Sequence, residues 1–236
     1  MTLKELQLKL HNKLKDSGWS DKLKTFTLSN DFLDILKTLY TNSQNGEKFT
    51  PVLKDVFSFL TECPYHKLKI VIVNDKPFFN ANVSNGLALS TKDGIVNAPL
   101  NLIYNDLENT LYPEGFVREP DLTYLANQGV MLLNTSLTTT LNTVEPHTAL
   151  WSEFVNHLFD YLNAYNPGLI YVFLGDVAKP YSRLIDSNNY KFFTLHPIYD
   201  VNPSNPEWMS NNLFKKINDL CMDIYGESIN WVKNTD

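Results

Sequence analysis

Lys69-Ile70-Val71-Ile72-Val73 is an unbroken β-branched run that ends at Asn74-Asp75-Lys76-Pro77, and its reading decides the fold. Continuous apolar residues of this kind mark a strand covered on both faces, as in a parallel sheet. Three further runs share the character: Gly129-Val-Met-Leu-Leu133, Leu169-Ile-Tyr-Val-Phe-Leu174 and Lys191-Phe-Phe-Thr-Leu195. Around them, apolar spacing predicts helices over 3–15, 100–109, 151–165, 177–186 and 210–225. Asn30 is the expected cap of another helix, carrying Phe32, Ile35, Leu36 and Leu39, and Val56, Phe57 and Leu60 suggest a short one. Alternating elements of this sort predict an α/β fold, a central four-stranded parallel sheet flanked by helices on both faces.

Composition narrows the function classes. The 236 residues are 43% apolar and 13% aromatic, enough for a sizeable core, and only 19% charged, unlike a disordered chain. One domain over 1–236 is expected, with 1–16 as a helical N-terminal extension. No apolar run reaches the roughly 18 residues of a membrane span. The charged opening MTLKELQLKLHNKLK lacks the apolar stretch of a signal peptide, so a cytoplasmic rather than secreted protein is expected. Two cysteines, Cys63 and Cys221, form neither a disulfide framework nor a zinc pattern. No metal or cofactor is implied. A net charge of −6 disfavours indiscriminate nucleic-acid binding. His11, His66 and His157 have no partner pattern and are expected at the surface.

Ligands of open α/β sheets sit beyond the carboxyl ends of the strands. Those ends carry Asn74-Asp75-Lys76-Pro77-Phe78-Phe79, Asn134-Thr135, Gly175-Asp176 and His196-Pro197. Amide, acid, lysine, imidazole and two aromatic rings together could hold a flat heterocycle by stacking and edge hydrogen bonds. The plainer alternative is that Asn134 supports a turn and that Phe78 and Phe79 fill a closed pocket.

At these strand ends the chain resembles the family 1 uracil-DNA glycosylases, from about residue 17 onward. Gly129-Val-Met-Leu-Leu-Asn-Thr-Ser-Leu-Thr138 is similar to the family's GVLLLNxxLT segment, and Tyr104-Asn-Asp-Leu-Glu-Asn-Thr110 with Gly115-Phe116 to YKELENT…GF. Gly86-Leu-Ala-Leu-Ser90 resembles GLAFS, Val172-Phe-Leu-Gly175 the LLWG strand end, and Ile229-Asn-Trp231 the closing I-D-W. The water-activating loop GQDPYH, followed six residues later by GLAFS, is altered. Aligned without gaps on Pro77 and Gly86, Asn74 takes the glycine position, Asp75 the glutamine and Lys76 the catalytic aspartate. Phe78 takes the tyrosine position, Phe79 the histidine, and Leu89 that of the phenylalanine stacking on the base. A frame placing Asp75 on the aspartate loses the proline match and turns the side chain the other way.

In the resembled family the aspartate stabilises an oxocarbenium-like sugar and positions water, an asparagine reads the uracil edge, and a histidine donates to a uracil oxygen. Asn134 and His196 take the last two positions. Lys76 reverses the charge of the first. A unit charge about 4 Å away at an effective dielectric near 20 is worth roughly 4 kcal/mol, so the reversal raises the barrier by at most about 8 kcal/mol. DNA contacts are degraded as well. Asn97-Ala98-Pro99 replaces the loop PPS, and Ile198 and Asp200 replace a phosphate-contacting serine and a wedging leucine. Of the HSH segment, Glu145-Pro146-His147 keeps one histidine.

The resemblance therefore implies a degenerate, catalytically inactive homologue that acts by binding. One variant is a protein-interaction module of a replication or transcription complex. Viral family members offer a precedent in a polymerase processivity complex; a viral chain would work in the host cytoplasm or nucleus. The other variant is a non-cutting reader of uracil-containing DNA, binding weakly through Asn134, Phe78, Leu89, His196 and Pro77. Acidic charge favours the protein partner. The alternatives are an active glycosylase in which Asp75 or another acid substitutes, and a lysine-nucleophile enzyme using Lys76.

Overall fold

The computed structural model describes residues 1–197 and 210–233. Its main sheet has four parallel strands in the order β3-β2-β5-β6: β2 (Ile70–Asn74), β3 (Val130–Asn134), β5 (Ile170–Leu174) and β6 (Tyr190–Thr194). Every residue of β2, β3 and β5 is buried, which is why these strands read as unbroken apolar runs, whereas the edge strand β6 is mostly half-buried or exposed. The register pairs Ile70 with Val130 and Asn74 with Asn134, so the two asparagines end adjacent strands side by side.

Helices cover the sheet. Long α7 (Thr148–Tyr165) buries Trp151, Phe154, Val155, Leu158, Phe159 and Leu162, a stripe at helical spacing. The α3 helix (Asn30–Gln44) buries the four residues expected, but its cap is Ser29, whose side chain accepts from the Phe32 N–H; Asn30 is already helical. Helix α1 (Leu3–Lys13), closed by a Thr2–Glu5 capping box, lays Leu10 into the core against α2 (Ser20–Thr27) and α3. Short α4 (Ser58–Thr61) and α6 (Thr123–Ala126) flank β3.

Three further departures from the sequence reading have local causes. The helix expected over 177–186 is a single α-turn, α8 (Gly175–Ala178), followed by a 3-10 segment over Lys179–Leu184. Pro180 has no N–H to extend the α ladder. A two-stranded ribbon, β1 (Phe49–Thr50) with β4 (Thr139–Thr140), is too short to leave a sequence signal. His11 is buried, its Nδ1 hydrogen-bonded to the Thr27 hydroxyl at 2.8 Å, and His157 is half-buried against Thr25 at 3.1 Å. His66 is exposed as expected.

Two glycines of the quoted motifs are fixed by close approach. A Cβ on Gly86 would lie 1.8 Å from the Asp55 carbonyl oxygen, and one on Gly129 equally close, 1.8 Å, to that of Lys67; both have positive φ. Among the described residues no helix is long and apolar enough to cross a membrane.

Candidate functional site

The carboxyl end of β2 delivers the next residues straight into an open cleft lined by Asn74, Asp75, Lys76, Pro77, Phe78, Phe79, Leu89, Pro99 and His196. Backbone bonds fix the loop's start: the Thr135 N–H donates to the Asn74 carbonyl at 2.8 Å and Ser136 to that of Asp75 at 2.9 Å. Thr135 Oγ1 adds a second bond to the Asp75 carbonyl at 3.0 Å. Its far end is held by the Asn142 N–H on the Phe79 carbonyl at 2.7 Å.

Opposite stands the Gly86–Ser90 loop, pinned to β3 by the Ala88 N–H on the Leu132 carbonyl at 3.0 Å. Leu89 occupies the left-handed region at φ 66°, an unfavourable conformation for leucine, and Asn97 Nδ2 donates to its carbonyl at 2.6 Å. Asn97 also caps α5 (Ala98–Thr110) through the Leu100 N–H at 2.9 Å, which sets Pro99 in the first helical turn at the cleft wall. Asn97 and Pro99 are thus tied into a helix start.

The charged groups meet at the cleft centre. Lys76 Nζ is ion-paired with Asp75 Oδ2, and their side chains are only 14% and 10% exposed. Asp75, Lys76 and His196 also border an adjoining cleft with Gly175, Asp176 and Val177. His196 is itself buried. Phe78 and Phe79 are half-buried but take no part in the hydrophobic core.

Asn134 ends the neighbouring strand β3. It is 3% exposed, does not line the cleft, and its Oδ1 accepts from Asn74 Nδ2 at 2.8 Å. The sequence reading missed this contact, although two asparagines at matching ends of predicted parallel strands were a signal for it. His147, the remaining histidine of its segment, contacts the hydroxyls of Thr138 at 2.9 Å and Thr140 at 3.2 Å, away from the cleft. Burial lowers its pKa, against an opposing pull from Glu47. Ile198 and Asp200 lie outside the described residues.

A parallel α/β sheet with an open cleft at the carboxyl ends of its strands defines a class of folds that bind ligands there. The comparisons are specific. The chain is 32% identical to the uracil-DNA glycosylase of Escherichia coli O81 over 185 residues, 76% of this chain and 80% of the relative. It is 27% identical to that of Mycoplasmopsis pulmonis over 219 residues, 92% and 98% of the two chains. In structure it is similar to mimivirus uracil-DNA glycosylase, with a TM-score of 0.79 at 23% identity over 90% of this chain and 85% of that one. A mimivirus variant solved in complex with UGI superposes with a TM-score of 0.80 at 22% identity, covering 90% and 87%. No protein-family model matches the chain. The chain belongs to the uracil-DNA glycosylase family.

Proposed function

We propose that this family member holds a nucleobase of single-stranded, uracil-containing DNA in the cleft without cleaving its glycosidic bond. One observation carries the reading: Lys76, which aligns with the family's catalytic aspartate, is paired with Asp75, and both side chains are largely buried. The pair is close to neutral where the family places a full negative charge. It neither stabilises a sugar cation nor leaves a carboxylate free to orient water. The neighbouring acid, Asp75, is occupied by that lysine.

An open cleft with two aromatic side chains outside the core supports binding over a collapsed pocket. Stacking on Phe78 and Phe79 tolerates any base and needs no catalytic group. The net charge of −6 keeps the affinity low and its salt dependence shallow, because few phosphates are neutralised.

The test is a single-turnover assay with excess protein on single-stranded uracil DNA, with binding followed on the same oligonucleotides. No cleavage with base-dependent binding is the expected result. Cleavage near the rate of the Escherichia coli enzyme overturns the non-cleaving reading. Absence of both moves the role to a protein partner, such as a replication or transcription complex.

A further inference from the structure

We infer that Asn74, rather than Asn134, is the specificity-determining residue of the cleft, and that it selects ligand edges bearing an N–H donor without distinguishing uracil from cytosine. This rests on the base-binding reading above and names the chemistry the cleft accepts.

Three observations combine. Asn74 is among the residues that line the cleft, and its equally buried neighbour Asn134 is not. The orientation of the Asn74 amide is settled by the backbone: its Nδ2 donates to the Lys76 carbonyl at 3.3 Å, and a carbonyl can only accept. The same nitrogen's other hydrogen goes to Asn134 Oδ1 at 2.8 Å, so both Asn74 donors are spent and Asn134's acceptor is engaged. Third, Asn74 Oδ1 is buried and has no hydrogen-bond partner among the described residues. A buried acceptor without a partner is costly, and a ligand N–H relieves that cost.

The polar group that Asn74 offers is therefore an acceptor alone. Uracil presents N3–H and cytosine its exocyclic amine, so each supplies a donor. A base alkylated at N3, with its other edge atoms being acceptors, supplies none. With glycine at 74, as in the resembled family, Asn134 would keep both its donor and its acceptor. The asparagine at 74 thus exchanges a two-point edge for a one-point edge.

The experiment uses the full chain and short fluorescent single-stranded oligonucleotides carrying one central dU, dC, N3-methyl-dU or abasic site. Binding is followed by anisotropy, with Asn74→Ala and Asn74→Gly alongside and their melting temperatures recorded. The expected result is dU and dC bound alike, with N3-methyl-dU weakened roughly tenfold, about the value of one discriminating contact. Asn74→Ala should abolish the N3-methyl effect, and Asn74→Gly, which leaves Asn134 both its donor and its acceptor, should restore a preference for dU over dC. A purely structural role for Asn74 would weaken all base-containing oligonucleotides together and leave their ratios unmoved, which overturns the inference. A native preference for dU over dC of tenfold or more, unchanged in Asn74→Ala, also overturns it while base binding stands. If the abasic oligonucleotide binds as well as the others, the base-binding reading itself fails, and the inference with it.

Discussion

Replacing Lys76 tests the electrostatic argument most directly. Asp75 and Lys76 are 10% and 14% exposed at the side chain, and each offsets the other's charge. Lys76→Ala changes the local charge by one unit, leaving the Asp75 carboxylate alone beside the cleft. At about 4 Å and an effective dielectric near 20 that step is worth roughly 4 kcal/mol toward a developing sugar cation, or about three decades in rate. Water in the open cleft screens part of it, so the expected gain over the native trace rate is roughly 10- to 1,000-fold. Lys76→Asp sets a carboxylate at the family's position, but repulsion between two adjacent acids offsets part of the added charge. A much greater gain from Lys76→Asp would show that the position of the acid counts beyond its charge. The assay is single-turnover cleavage of a single-stranded uracil oligonucleotide, with thermal melts to verify folding. Leaving Asp75 without its partner should cost about 1–3 kcal/mol. Native cleavage within about tenfold of the Escherichia coli enzyme would refute the reasoning. So would two well-folded variants that gain nothing, since charge would then not be what the site lacks.

Other perturbations separate the remaining parts. Phe78→Ala and Phe79→Ala should each weaken base-containing oligonucleotides by about 1–3 kcal/mol with little change in melting temperature, because neither ring belongs to the core; anisotropy and melts read the two effects. Gly86→Ala drives a Cβ to 1.8 Å from the Asp55 carbonyl at φ +90° and should destabilise the fold by more than about 3 kcal/mol in urea titration. Burial lowers the pKa of His11, His147 and His157 below the usual 6.5. A depressed folded-state pKa means that the unfolded chain takes up protons first, so stability is complete above pH 6.5 and falls as the pH drops through the histidine range. Melting temperatures from pH 7.5 to 5 should show this decline, and His147→Gln should flatten it.

The sheet and its ligand-facing end were legible because burial on both faces leaves a one-dimensional mark. Ile70–Val73, Val130–Leu133 and Ile170–Leu174 read as strands from their β-branched and apolar continuity alone. Helices α3, α5 and α7 were visible in their stripes, with error confined to ends, as at Ser29 and Asn30, where neighbouring polar residues compete to cap. The glycines at 86 and 129 belonged to recognisable segments. Only the packed chain shows that each admits a carbonyl from a loop distant in sequence.

The amino-acid sequence by itself determined the α/β class, the strand ends that border the cleft, and a lysine at 76 where the resembled family's motif carries an acid, since these depend on residue type and local spacing. Tertiary structure alone decided what those residues do to one another. Parallel register sets Asn74 against Asn134, the loop after β2 pairs Lys76 with Asp75, and the threonines of β4 and its approach take up both nitrogens of His147. The physical reason is that hydrogen bonds and ion pairs act over about 3 Å between groups such as Asn74 and Asn134, 60 positions apart, and no local pattern encodes that separation.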